Sequence, residues 1–175
     1  MAFKGEELVI EELTHDSFKG IDIALFSAGG GISKEFRKSV TDAGAVMIDN
    51  SSAFRMDDDV PLVVPEVNPE DVKWHNGVIA NPNCSTIIML VAVAPLHKAK
   101  KLKRLVAATY QATSGAGAKG MEELKVQTRQ ILDEEEFSPK FFAHQIGFNL
   151  IPHIDVFLDN GYTKEELKML FHAFL

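Results

Sequence analysis

The chain has 175 residues, 46% hydrophobic and 25% charged, with 12 glycines, 7 prolines and one cysteine. This is an ordinary globular composition that excludes the disordered, collagen-like and disulfide-rich classes, and a lone cysteine excludes an internal disulfide or a multi-cysteine zinc site and suits a reducing compartment. A net charge of −7 argues against a broad nucleic-acid or membrane-binding face, yet leaves room for a small anion held by one or two local cations.

The opening residues MAFKGEELVIEEL lack a basic region followed by an apolar one, so no secretory signal is expected. Glu7–Glu12 reads as a short strand and Ile21–Ala28 as a stronger one, ending in Gly29, Gly30 and Gly31. A helix follows, with Ile32, Phe36, Val40 and Ala43 at helical spacing and Gly44 as its stop. Ala45–Asp49 is a second buried strand, and Asn50–Val67 an irregular crossing with two prolines. Asn68–His75 is a short helix, and Val78–Ala80 another strand. The longest uncharged apolar run, Cys84–Leu96, is too short for the roughly 20 residues of a membrane span and reads as a buried helix. Leu105–Thr113 looks like a long strand, and Met121, Leu124, Thr128 and Ile131 form the buried stripe of the next helix. Beyond Phe141 the texture changes, and Asp159-Asn160-Gly161 leads to a last helix opened by Thr163. Alternating strands and helices of this kind imply a mainly parallel sheet covered by helices.

Chemistry gathers at three strand-to-helix turns. In Asn81-Pro82-Asn83-Cys84, Asn83 is a good helix N-cap, and Cys84 falls in the first turn. There unpaired amides and the positive end of the helix dipole stabilise a thiolate, the reactive form, and can hold an oxyanion on a carbonyl that the sulfur attacks. A small buried hydrophobe is the competing reading of a lone cysteine. In Gln111-Ala112-Thr113-Ser114-Gly115, small residues let a ligand approach the backbone, and Gln111 can both donate and accept; a tight loop that needs glycine is the plainer account. Ser27-Ala28-Gly29-Gly30-Gly31 resembles a phosphate cradle but is not GxGxxG, and by itself reads as a flexible connection.

Arg55, followed by three aspartates, is either a surface ion pair or an anion clamp. Glu165 and Lys168 share a helix face and read first as a helix ion pair, whereas Thr163 and Glu166 fit a capping box that accounts for Glu166 structurally. The histidines lack a metal-binding spacing, so no metal is expected, and His144 and His153 read as packing or surface residues. The basic run from His97 to Arg104 complements a helix C-terminus.

The strings FSAGG, DNSSAFRMDDDVPLVVPEVN, ANPNCSTI, YQATSGAGAKGMEEL, FNLIPHID and NGYTKEELKM together resemble the aspartate-semialdehyde dehydrogenase family, over essentially Phe3 to Met169. The resemblance implies NADPH-dependent reductive dephosphorylation of L-aspartyl 4-phosphate to L-aspartate 4-semialdehyde. That step serves lysine synthesis (through diaminopimelate) and methionine, threonine and isoleucine synthesis, in the cytoplasm or, had a transit peptide been lost, the plastid stroma. By the same resemblance Cys84 is the nucleophile that forms an acyl-thioester and Gln111 orients the bound intermediate. Arg55 and Lys168 bind phosphate with Asn83 beside them, and Glu165 faces the substrate amino group. Ser114 and Gly115 lie under the nicotinamide, while Ser27, Gly29 and Gly30 form a loop along the NADP cofactor. The implied fold is α/β: residues 1–83 form a partial Rossmann-like parallel sheet with helices, and 84–175 begin an α+β substrate and dimerisation domain. The family works as a homodimer, with no nucleic-acid or membrane partner.

Family members also carry an upstream GxxGxxG turn and a later segment with a substrate-binding arginine and an acid/base histidine. Nothing before Phe3 matches the turn, and the closing LFHAFL departs from the family's continuation, with His172 outside the acid/base motif. A chain truncated at both ends is therefore expected. Two other readings stand beside an active enzyme. One is a non-catalytic remnant that binds a partner subunit. The other is a relative of N-acetyl-glutamyl-phosphate reductase, against which the Arg55 block and the EELK helix speak.

Overall fold

The structure, a computed structural model, describes residues 1–172; the end of the LFHAFL run lies outside the described residues. Two compact units divide the chain: Met1–Lys101 with the end of the last helix from Met169, and Leu102–Lys168.

The first unit is built on a parallel sheet. Strands β1 (Ala2–Phe3) and β2 (Glu6–Glu7) form a small antiparallel hairpin closed by Lys4 and Gly5, both in the left-handed conformation that a two-residue hairpin turn requires. Strand β3 (Ile23–Phe26), helix α1 (Gly30–Asp42), strand β4 (Val46–Asp49) and, after a 3-10 turn at Pro69–Trp74, strand β5 (Val78–Ala80) follow in order. The three strands lie parallel in the order β3-β4-β5, with Ile23 opposite Val46 and Met47 opposite Val78. One face of this sheet is a core. Ala24 and Phe26 of β3, Met47 of β4 and Val78 and Ala80 of β5 meet Phe36 and Val40 of α1, with Phe18 closing the edge. The Phe18 ring sits 5.9 Å from that of Phe26 and 6.0 Å from that of Phe36, in the range where aromatic pairs add to simple burial. The alternate residues of β3, Ile23 and Leu25, are exposed. Helix α2 (Cys84–Lys100) closes the unit, its basic last turn and left-handed Lys101 lying where cations complement the dipole. Among the described residues no helix is long and apolar enough to cross a membrane.

In the second unit a 3-10 turn at Thr113–Ala116 leads into α3 (Gly117–Leu132), and a long connection runs to the first residues of α4 (Lys164–His172). Polar tethers hold the connection to α3. The Glu123 carboxylate accepts the backbone N–H groups of Lys140, Phe141 and Phe142. The buried Gln127 carboxamide accepts from Ile146 and Gly147 at 2.8 and 3.1 Å and donates to Glu123 at 2.9 Å. Gly147 suits this close approach: a Cβ there would stand 2.8 Å from the tip of the Ile131 side chain and 3.2 Å from the Thr128 backbone nitrogen.

Helix α1, strands β4 and β5 and the start of α2 match the expected elements closely. Four expectations are corrected. Glu7–Glu12 is not a strand; only Glu6–Glu7 pairs, and Val9 and Ile10 are exposed with no neighbouring strand to complete a ladder. Leu105–Thr113 is likewise irregular, with Tyr110 fully exposed, because β-prone residues form a strand only where another strand accepts their hydrogen bonds. Helix α2 is only half buried: Leu90 and Ala94 face inward while Ile88 and Leu96 are exposed. Of the expected α3 stripe, Leu124, Thr128 and Ile131 are half-buried but Met121 is exposed, and the fully buried positions are Gly120 and Gln127, the latter facing loop amides.

Candidate active site

Three strand ends meet at the carboxyl edge of the parallel sheet, the edge at which open α/β sheets bind ligands. Strand β3 leads into Ser27, β4 into Asn50 and β5 into Asn81. Ladder bonds continue through these residues: the Asn50 N–H donates to the Phe26 carbonyl, and the Asn81 N–H to the Asp49 carbonyl, each at 2.8 Å. Their side chains form a row, with the Asn81 carboxamide donating to Asn50 Oδ1 at 2.7 Å and the Asn50 carboxamide to Ser27 Oγ at 3.4 Å.

Arg55 crosses this row. Its Nε donates to the Asn81 carbonyl at 2.8 Å and its Nη2 to the Asn50 carbonyl at 3.0 Å, so the guanidinium is fixed at two points on the sheet edge. The neighbouring Asp57 and Asp59 are engaged by Arg37 of α1, at 3.4 and 2.7 Å. Beneath the loop, the wholly buried Asp49 carboxylate accepts the hydroxyls of Ser33 at 2.6 Å and Ser51 at 2.7 Å. Ser51 Oγ in turn accepts the Ala53 N–H. One buried carboxylate thus ties the first turns of α1 to the loop that carries Arg55.

Directly after Asn81 the chain turns into α2. Asn83 caps the helix: its buried side-chain oxygen accepts from the Thr86 backbone at 3.2 Å and from the Thr86 hydroxyl at 3.3 Å. Cys84 is the first residue of the helix and is exposed, which removes the small-buried-hydrophobe reading. Its sulfur therefore stands at the positive end of the α2 dipole, open to a reactant. Ser27 and Gly29 are exposed before α1. Gly29 has φ +94°, a conformation that favours glycine, and a Cβ at Gly29 or Gly31 would meet nothing within 4 Å, so a ligand can reach the backbone there. Gly30 packs nearer Ala53 and Ser51. Small residues, an uncapped helix start and a polar strand edge fit one side of a dinucleotide.

The second unit holds the other candidates. Gln111 is exposed on the irregular segment, where its Oε1 accepts the Thr109 hydroxyl at 3.1 Å. Ser114 and Gly115 are exposed in the 3-10 turn before α3. At the start of α4 the capping box is complete: the Thr163 N–H and hydroxyl donate to the Glu166 carboxylate at 2.6 and 3.0 Å, and the Glu166 N–H donates back to Thr163 Oγ1. These bonds, the backbone one foremost, hold the Glu166 carboxyl below its ordinary value.

Lys168 lies 3.3 Å from Glu165, as their spacing implies, and 3.0 Å from Asp155. Burial opposes the Lys168 charge, but its bond to Asp155 and the charge of Glu165 outweigh that and hold the ammonium above its ordinary value. Asp155 shows the mirror effect: burial raises it, and the Lys168 bond and the Val156 N–H bring it below its ordinary value. Asp155 has φ +67°, uncommon for a residue with a side chain. An antiparallel bridge between Phe157 and Thr163 closes the hairpin that presents it to α4.

Sequence reasoning gives no role to Asn50, Asn81, Asp49 or Asp155. The first two had one usable signal, since each stands immediately after a strand of a parallel sheet.

Two family models match the chain: the semialdehyde dehydrogenase NAD-binding domain over residues 1–75 and the semialdehyde dehydrogenase dimerisation domain over residues 93–172. The aspartate-semialdehyde dehydrogenase of Aquifex aeolicus is 59% identical over 178 residues, covering 99% of this chain and 52% of the relative. That of Bacillus subtilis is 51% identical over 177 residues, covering 97% and 51%. The crystal structure of aspartate semialdehyde dehydrogenase II complexed with ASA from Vibrio cholerae superposes with a TM-score of 0.93 at 46% identity, over 99% of this chain and 52% of that one. The chain thus spans about half the length of the curated relatives it matches.

Proposed function

The chain belongs to the semialdehyde dehydrogenase family, and from that premise we propose that it supplies the nucleophile and phosphate clamp of an aspartate-semialdehyde dehydrogenase. In this reading residues 1–83 are the cofactor half, and the catalytic and dimerisation half begins at Cys84. The reaction is the NADPH-dependent reductive dephosphorylation of L-aspartyl 4-phosphate. It takes place in the cytoplasm, in lysine, methionine, threonine and isoleucine synthesis, and is carried out by a homodimer.

The Cys84 thiolate attacks the acyl carbon of the substrate, forming a C–S bond, and the tetrahedral oxyanion collapses with cleavage of the C–O bond to phosphate. Arg55 holds the phosphate as it arrives and leaves, with Asn83 beside it and Lys168 as a second cation. Lys168 already has two carboxylate partners, so it releases one of them when phosphate binds. Gln111 orients the acyl group, and Glu165 receives the substrate ammonium. Ser27, Gly29, Gly30, Ser114 and Gly115 would hold a nicotinamide cofactor, whose chemistry is to supply the hydride that reduces the thioester to the aldehyde. Cleavage of the C–S bond then releases the aldehyde and restores the Cys84 thiolate.

The observation that carries this reading is the two-point anchoring of Arg55 on the carbonyls of Asn50 and Asn81, three residues before an exposed cysteine that opens a helix. Phosphate-dependent oxidation of L-aspartate 4-semialdehyde with NADP tests it. The reading requires turnover in the protein, and its disappearance in Cys84→Ala. Turnover retained in that variant contradicts it.

A second reading, a subunit-binding module without turnover of its own, has one observation behind it. Ile23 (59% exposed) and Leu25 (79%) leave the second face of the β3 strand in solvent, whereas parallel sheets are ordinarily covered on both faces. A folded, associated and inactive chain would favour it.

A further inference from the structure

Arg55 is held by two backbone carbonyls, and the two residues that own them are also joined through their side chains. The Asn81 carboxamide donates to Asn50 Oδ1 at 2.7 Å, and the carbonyls of the same two residues accept from Arg55 Nη2 and Nε. The result is a closed ring: Asn50 side chain, Asn81 side chain, Asn81 carbonyl, guanidinium, Asn50 carbonyl. The ladder does not need the side-chain link, because the strand-end N–H groups of Asn50 and Asn81 already have the Phe26 and Asp49 carbonyls as partners. Nor is the link part of a buried core, since Asn50 is exposed and Asn81 half-buried. A guanidinium is a rigid planar fork, so its aim depends on the separation of the atoms that grip it. A carboxamide bridge between the gripping residues fixes that separation.

We infer that the Asn50–Asn81 carboxamide bridge is a positioning element that sets the Arg55 fork for a tetrahedral oxyanion such as phosphate. This rests on the phosphate-clamp reading of Arg55 and deepens it. The bridge extends to Ser27 through the Asn50 carboxamide, so it runs from the candidate cofactor turn to the strand end that leads into Cys84. Neither asparagine touches a reacting atom in this scheme; both act through Arg55.

The test is a titration of the chain with inorganic phosphate, followed by the Arg55 Nε–H resonance in nitrogen-15 NMR spectra, which gives a binding constant and a proton-exchange rate from one signal. In the wild type the resonance shifts saturably, and Arg55→Ala abolishes the binding. Asn81→Ala and Asn50→Ala each weaken the constant by about fivefold, the scale of one neutral hydrogen bond, and speed Nε–H exchange. The double variant loses little more than either single one, as two halves of one bridge must. A merely architectural pair would lower the melting temperature and leave both the constant and the exchange rate in place, and that result overturns the inference. Asn50 is exposed, so Asn50→Ala keeps the test decisive even if Asn81→Ala fails to fold. Absence of any phosphate response at Arg55 in the wild type would remove the clamp reading itself and the inference with it; wild-type binding that the asparagine variants leave unchanged removes the inference alone.

Discussion

The first unit positions its candidate residues by backbone, the second by side chain. Arg55, Asn83 and Cys84 sit at the carboxyl edge of a parallel sheet, where ladder bonds extend to Asn50 and Asn81 and the helix cap fixes Cys84. Lys168 and Glu165 are placed by ion pairs with one another and Asp155, and Gln111 lies on a segment without a ladder. A site assembled on sheet ends inherits the rigidity of the core behind it; one assembled from ion pairs stays responsive to solvent, pH and ligand.

That contrast can be broken most forcefully by mutating one apolar residue in each unit. Met47→Ala removes a fully buried side chain from the sheet core and should cost about 2–5 kcal/mol in denaturant unfolding. Tyr110→Ala, at a fully exposed position of the unladdered segment, should stay within about 0.5 kcal/mol. Equal costs would dissolve the distinction.

Gln127→Ala gives a smaller effect inside the second unit. It leaves the N–H groups of Ile146 and Gly147 without their buried acceptor, at about 1–3 kcal/mol. Hydrogen exchange should accelerate at these two amides and leave the first unit's strands unchanged.

The smallest effect is a pH dependence. Asp155 lies below its ordinary value in the folded state, so its pairing contributes fully above about pH 4, the unfolded carboxylate value. The contribution falls away as pH drops toward the depressed folded value. Lys168 lies above its ordinary value, so its contribution is complete below about pH 10 and is lost as pH rises through the raised folded value. The melting temperature of Asp155→Asn should therefore run below wild type on the neutral plateau and converge with it in acid. Parallel curves down to strong acid would show that the pair contributes nothing.

The same divide governs what could be read from the sequence. Helix α1, strands β4 and β5, the Asn83 cap and the Thr163–Glu166 box were legible, because each rests on signals within a few residues of itself: periodicity, a glycine stop, a capping side chain. Leu105–Thr113 was misread because its β-prone residues say nothing about whether a partner strand lies alongside. The α3 stripe was legible only in part, with Met121 exposed, because that helix also buries Gln127 against loop amides, a pairing invisible to hydrophobic spacing. Cys84 was placed correctly at a helix start, but whether it was buried or exposed hung on tertiary contacts. Asn50 and Asn81 carried no assigned role, since a single asparagine after a strand is also an ordinary turn residue; only the parallel pairing of β4 with β5 brings their side chains together.

Intact-mass analysis of the chain after exposure to L-aspartyl 4-phosphate measures most directly whether Cys84 accepts the acyl group. The account predicts one aspartyl group per chain, located on Cys84, with one phosphate released, and no adduct in Cys84→Ala. An unmodified wild-type chain, or an adduct that survives in Cys84→Ala, would contradict it.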